Sequence, residues 1–182
     1  MAREREFEWR PGLFKDVVLY ISEQLADDPT FGSTKLNKIL YFADMDAYRL
    51  LGEPITGAVY QRNHHGPTAV EYLPMLDEMQ REELVTVSSA KVVDHDQGIV
   101  QSTHKFLSRI ERLSAEHRNI LDARITEFRS YNNTEASDES HKRSAGWLAR
   151  DLYETIPYSS SLIDPTPLDR WAVAGLMTKE PV

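Results

Sequence analysis

Residues 34 to 51, TKLNKILYFADMDAYRLL, constrain this chain more than any other stretch, because they write two apolar stripes onto one helix. Leu36, Ile39, Leu40, Ala43, Ala47, Leu50 and Leu51 recur at helical spacing. At roughly 100° per residue they fall in one stripe about 120° wide. Tyr41, Met45 and Tyr48 lie opposite at i, i+4 and i+7, with Lys38 and Arg49 on one flank and Asn37 and Asp44 on the other. A helix apolar on two sides is buried on both or keeps one for a partner. Two readings follow: a helix central to the fold, or a partner-binding face of Tyr41, Met45 and Tyr48 rimmed by Lys35 and Lys38.

With 182 residues, 41% apolar and 27% charged, the chain has the size and composition of one domain. Residues 1 to 12 read as a flexible lead-in that docks through Phe7 and Trp9, and residues 13 to 182 as the single domain. The spacing predicts a helix over 13–27, with Leu13, Phe14, Val17, Val18, Ile21 and Leu25 inward and Lys15, Asp16, Ser22 and Glu23 outward. Ser33 or Thr34 is the predicted cap of the next helix, and Gly52 its stop.

A short strand is expected over 58–63, and Pro67 suits the first position of a helix over 68–83 that kinks or restarts near Leu73 because of Pro74. Strands over 84–87 and 99–106 form a hairpin about a turn at 94–98. Ser114 caps a helix over 114–131, and Ser137 caps another, acidic at its start, basic at its end and anchored by Trp147 and Leu148. Ile156-Pro157-Tyr158 is extended or turn-like, and a short last helix covers 168–177. The predicted class is α+β, mainly α: a helical core around the 34–51 helix with a small antiparallel hairpin.

A formal charge of -8 disfavours a broad nucleic-acid surface, which needs clustered Lys and Arg, and suits a basic protein partner. No apolar run approaches the roughly 20 residues a membrane span needs, and the charged start, MAREREFEWR, is not a secretory leader. Absence of cysteine is compatible with a reducing compartment, so a cytoplasmic protein is expected.

Chemistry-bearing residues are few. His64 and His65 are adjacent, so on a strand they face opposite ways and do not share a metal, although either could join Glu71 or His141. A helix beginning at Pro67 beside them could hold an anion. Asp138, Ser140 and His141 supply the residue types of a hydrolytic triad, but neighbours on one helix do not make its line of contacts. His141 reads better as a buried donor tying its helix to a backbone carbonyl. No enzyme activity, cofactor or metal is expected. The alternatives are a metal-dependent hydrolase and a winged-helix-like DNA-binding regulator. Against the latter, the 68–83 helix carries Glu71, Asp77, Glu78, Glu82 and Glu83 and only Arg81.

Three separated pieces resemble one family. Lys35-Leu36-Asn37-Lys38-Ile39-Leu40-Tyr41-Phe42-Ala43 is similar to the KLQKLLYYA-like helix of the Panacea (SocA-like) antitoxin domain, also found as phage-associated proteins. Gly66-Pro67 resembles that family's GPV element, with Thr68 in place of its usual Val. Leu113-Ser114, Ile120-Leu121, Ser137, Ser140-His141 and Trp147 resemble its late LS...L...LS..TH....W pattern, and Ile156-Pro157-Tyr158 its ending.

The resemblance implies a mainly helical antitoxin that binds a co-encoded toxin, or in some members an adaptor that presents a toxin to a protease. Lys35, Leu36, Leu40, His141 and Trp147 are then structural motif positions. Lys38, Tyr41, Met45 and Tyr48, with the turn His64, His65, Gly66 and Pro67, are the expected partner-binding set. Family members pair with unrelated toxins, so the toxin's identity is not carried over. Oligomeric state, including a homo-oligomer, stays open.

Overall fold

Helix α2 (Ser33–Leu51) runs through the middle of the protein, whose computed structural model describes residues 6–92, 95–103 and 112–163. Leu36, Ile39, Leu40, Ala43 and Ala47 are buried as their spacing predicts, whereas Leu50 and Leu51 emerge at the far end, 64% and 42% exposed. Gly52, at a φ of 85°, ends the helix in the left-handed conformation and returns its N–H to the Tyr48 carbonyl. The N-cap is the extended Gly32, and neither Ser33 nor Thr34 caps the helix. Ser33 is already helical, and its hydroxyl pairs with Tyr72 Oη at 3.0 Å.

Helix α1 (Pro11–Gln24) and helix α4 (Ala115–Arg129) pack against α2. Pro11 opens α1, where a missing N–H costs nothing, two residues earlier than the apolar spacing marks. Phe14, Val17, Val18 and Ile21 fill the core, but Asp16 and Ser22, read from sequence as solvent-facing, are buried as well. The reason is that α1 is covered on more than one side, by α2, α4 and the second hairpin; Asp16 meets Arg112 at 3.5 Å. Ser114 caps α4 as expected, accepting the His117 N–H, and Ile120, Leu121, Ile125 and Phe128 face inward. Between α1 and α2 the buried Lys35 ammonium is held by Asp28 at 2.6 Å and Thr30 at 2.7 Å.

A three-stranded antiparallel sheet has β1 (Tyr60–Asn63) between β2 (Gly66–Ala69) and β5 (Thr155–Ile156), in the registers Asn63↔Gly66 and Tyr60↔Ile156. Pro67 therefore lies in an edge strand, which tolerates its missing N–H, and not at a helix start. Its carbonyl accepts from Asn37 Nδ2 at 2.9 Å and Lys38 Nζ at 3.1 Å. Helix α3 (Tyr72–Arg81) begins only here, close to the restart expected near Leu73, so Pro74 falls in its first turn, where no intrahelical N–H is needed.

Strands β3 (Val85–Val92) and β4 (His95–Ser102) make the second hairpin, with Val85 opposite Ser102 and Val92 opposite His95. Residues 95–98, read from sequence as part of the turn, already lie in β4, and Gly98 pairs with Ser89 inside the ladder. The rest of the expected strand beyond 103, and the helix at 168–177, lie outside the described residues. Helix α5 (Asn133–Arg143) is capped by Asn132 in a capping box with Glu135, not by Ser137. Ser144 caps the short α6 (Ala145–Ala149), and a 3-10 turn follows at Tyr158–Leu162.

Asp44 anchors β1 to α2 from within. Its carboxylate, 1% exposed, accepts from Thr56 N at 2.9 Å, from the Thr56 hydroxyl and from Tyr60 Oη at 2.8 Å. Burial holds its pKa above the ordinary carboxylate value, opposed by those hydrogen bonds. Residues 6–10 lie against the same region: Phe7 packs edge-on against Tyr48 and Tyr158, and Arg10 N–H donates to the Thr56 carbonyl at 2.9 Å. The fold is α+β and mainly α, and no described helix is long and apolar enough to cross a membrane.

Candidate functional site

The reversal between β1 and β2 presents His64 and His65 to solvent. It is held from below. The His65 carbonyl accepts from Ser137 Oγ of α5 at 3.0 Å, and Gly66, at a φ of 101°, lies directly on Ser140 and Lys38. A side-chain carbon at Gly66 would stand 2.3 Å from Ser140 Oγ and 2.7 Å from Lys38 Nζ, so glycine is required by both conformation and space. Ser140 is itself fully buried and donates to the Ser137 carbonyl at 2.7 Å. The family-like Gly-Pro pair is thus the floor of a turn seated on α2 and α5.

Lys38 is 1% exposed, and its ammonium donates to the Pro67 carbonyl with no carboxylate ion pair among the described residues. Burial alone pushes its pKa down to about 7 from 10.5. Between these values the unfolded chain holds a proton that the folded chain has released, so stability rises with pH across that window. Above roughly pH 10 the buried tyrosines Tyr41, Tyr60 and Tyr72 act oppositely, since burial raises their pKa values and the folded state retains their protons. Wild-type protein is therefore expected to gain stability from about pH 7 to 10, by at most about 1.4 kcal/mol per pH unit. Lys38→Met should flatten the rise. Urea midpoints at pH 7, 8, 9 and 10 check this, and equal slopes in both proteins would refute it.

Beside the turn, Trp147 fixes α6 to the sheet by donating Nε1–H to the Asn63 carbonyl at 3.0 Å. His141 stacks on it at 4.0 Å and 9°, and the Arg62 guanidinium lies 4.4 Å over its ring while donating to the Arg150 carbonyl. The tie to a backbone carbonyl expected of His141 is made by Trp147 instead. His141 Nε2 is buried without a hydrogen-bond partner among the described residues. Its pKa is lowered by burial, then by the charge of Lys38, with smaller contributions from His65 and Arg62 opposed by Asp138. His64 meets Tyr153 edge-on at 6.2 Å, and Tyr153 is 53% exposed at a positive φ of 66°. Arg62 and Tyr153 belong to this corner yet carry no sequence signal, because the contacts that define their roles are distant along the chain.

The second stripe of α2 is placed differently from a free partner face. Tyr41 and Met45 are 3% and 4% exposed on a helix packed by α5 and the 3-10 turn, with Tyr41 Oη bonded to Ser144 Oγ, the cap of α6, at 2.6 Å. Tyr48 is half-buried under Phe7 and Tyr158. Tyr41 and Met45 still line a cleft of about 300 Å³ with Arg49, Arg124, Arg143 and Leu162. Of the expected partner-binding residues, Lys38, Gly66 and Pro67 are buried too, and His64 and His65 are the exposed members.

Lys35, Leu36 and Leu40 are buried on α2, and Trp147 is half-buried against the core. Among the described residues, no three His, Asp or Glu side chains gather as a metal site demands.

A family model for the antitoxin SocA-like, Panacea domain matches residues 36–148, from α2 into α6. A comparison with curated proteins finds no match. The matched span carries the Lys38 floor, the histidine turn and the Trp147 corner, and it covers more than half of the 182 residues. The chain belongs to the antitoxin SocA-like, Panacea domain family.

Proposed function

We propose that the protein is the antitoxin half of a toxin-antitoxin pair and neutralises a co-encoded toxin by binding it directly, without turnover. The observation that carries this reading is the family match, which takes in every element that builds the histidine turn except β5. Physical support comes from the exposed turn itself. Its backbone is fixed to α2 and α5, so its side chains are presented with little ordering cost on binding. The net charge of -8 adds long-range attraction for a basic toxin. The same complex serves blocking of the toxin or its delivery to a protease.

Co-expression with the product of the adjacent reading frame tests the proposal. Growth should be restored, and a complex with one antitoxin per toxin, as a one-to-one or two-to-two assembly, should co-purify. Titration separates binding from catalysis: neutralisation should reach completion at one molar equivalent. Complete neutralisation by a small fraction of an equivalent would mean turnover, and the absence of both complex and rescue would remove the antitoxin reading.

A further inference from the structure

Cations elsewhere in the described chain are commonly matched to carboxylates, as Lys35 is to Asp28, Arg129 to Asp27 and Lys142 to Glu139. Around the histidine turn that matching stops. Arg62 gives its guanidinium to a carbonyl and to the Trp147 ring, Lys38 gives its ammonium to a carbonyl, and neither forms an ion pair among the described residues. His65 is exposed beside them, and His141 keeps a buried Nε2 without a partner. Asp138, one turn before His141 on α5, bonds to none of these groups. In a chain with 29 acidic and 21 basic residues, a cluster of cationic and imidazole groups that no acid among the described residues pairs with is a local reversal of charge.

We infer that Arg62 and His65, at the outer rim of this cluster, receive a carboxylate-bearing segment of the toxin. The inference rests on the antitoxin reading above and names the chemistry by which that partner is recognised. Arg62 supplies a planar fork suited to a carboxylate, and its stacking on Trp147 removes much of the rotamer freedom that an isolated arginine loses on binding. Trp and Arg side chains are also the groups that most often dominate binding energy at protein interfaces.

A nucleic acid fits less well. The chain's overall charge repels a polyanion, and Trp147 already carries His141 and Arg62 on its ring, which leaves no stacking platform for a base. A single acidic side chain meets the local charge without bringing a large negative surface against the rest of the molecule.

The full chain and the co-encoded toxin are the materials of the test, with binding measured by titration calorimetry at two salt concentrations. Arg62→Glu and His65→Glu should each weaken binding at least tenfold and reduce growth rescue. His65 is exposed, so His65→Glu should keep the wild-type thermal midpoint even if Arg62→Glu disturbs the Trp147 stack. Wild-type affinity in a folded His65→Glu protein and in Arg62→Glu would overturn the inference while leaving the antitoxin reading intact. Failure of the wild-type chain to bind the toxin would overturn both. Displacement of the toxin by a short DNA duplex, abolished by the same substitutions, would assign the corner to phosphate and also overturn it.

Discussion

Leu40→Ala should destabilise the protein by about 2 to 5 kcal/mol, toward the upper part of that range. Leu40 is 1% exposed in the middle of α2, between helices that cannot close over the lost volume without shifting. The cost therefore combines lost burial with a residual cavity. Leu50 shares the same stripe by spacing but is 64% exposed, so Leu50→Ala should stay within about 0.5 kcal/mol of wild type. Urea denaturation of the three proteins at pH 7 checks the pair. A Leu40→Ala cost below about 1 kcal/mol would contradict the central position of α2.

Asp44→Ala should cost about 3 kcal/mol, for a different reason. The substitution removes a carboxylate whose burial is itself unfavourable, yet it leaves behind the groups that Asp44 satisfies. Tyr60 Oη can turn to the Leu40 carbonyl, already 3.2 Å away, so its loss is partly compensated. The Thr56 N–H and hydroxyl have no such recourse, and each orphaned buried donor costs about 1 to 3 kcal/mol. Asp44→Asn keeps one acceptor and should cost less than Asp44→Ala. The ordering Ala worse than Asn, read from urea midpoints, is the discriminating result. Equal stability of wild type and Asp44→Ala would show that the donors find other partners.

Much of the helical framework is legible in the sequence because burial there follows a period of 3.6. The inward stripes of α1, α2 and α4 are readable from Phe14 to Phe128, as is the Ser114 cap. Periodicity stops being informative where polar atoms are buried with partners from elsewhere. Lys38, Asp44 and Asp16 look like flanking charges by spacing, and each is enclosed by a neighbour that local sequence cannot reveal. Pro67 reads as a helix start for a similar reason: proline suits a helix start and an edge strand equally, and the donors that meet its carbonyl, Asn37 and Lys38, lie on α2. The histidine turn was visible as a candidate, but Arg62 and Tyr153 were not. Of the two readings that spacing leaves open for the second stripe, Tyr41 and Met45 follow the buried one, with α5 and the 3-10 turn packed against α2.

The position of β1 between β2 and β5 bears on the timing of synthesis. One neighbour of β1 follows it almost at once, whereas Tyr158 reaches back 100 positions to the Ala58 carbonyl, and its N–H reaches back 152 positions to the Glu6 carboxylate. At about 5 to 20 residues per second, the later of these partners leaves the ribosome roughly 8 to 30 seconds after the earlier. A nascent chain stopped before β5 has the histidine turn but not the strand that braces its far side, nor the aromatic closure of Phe7 on Tyr158. For an antitoxin of the kind proposed, protection against a toxin translated at the same moment must come from chains already finished.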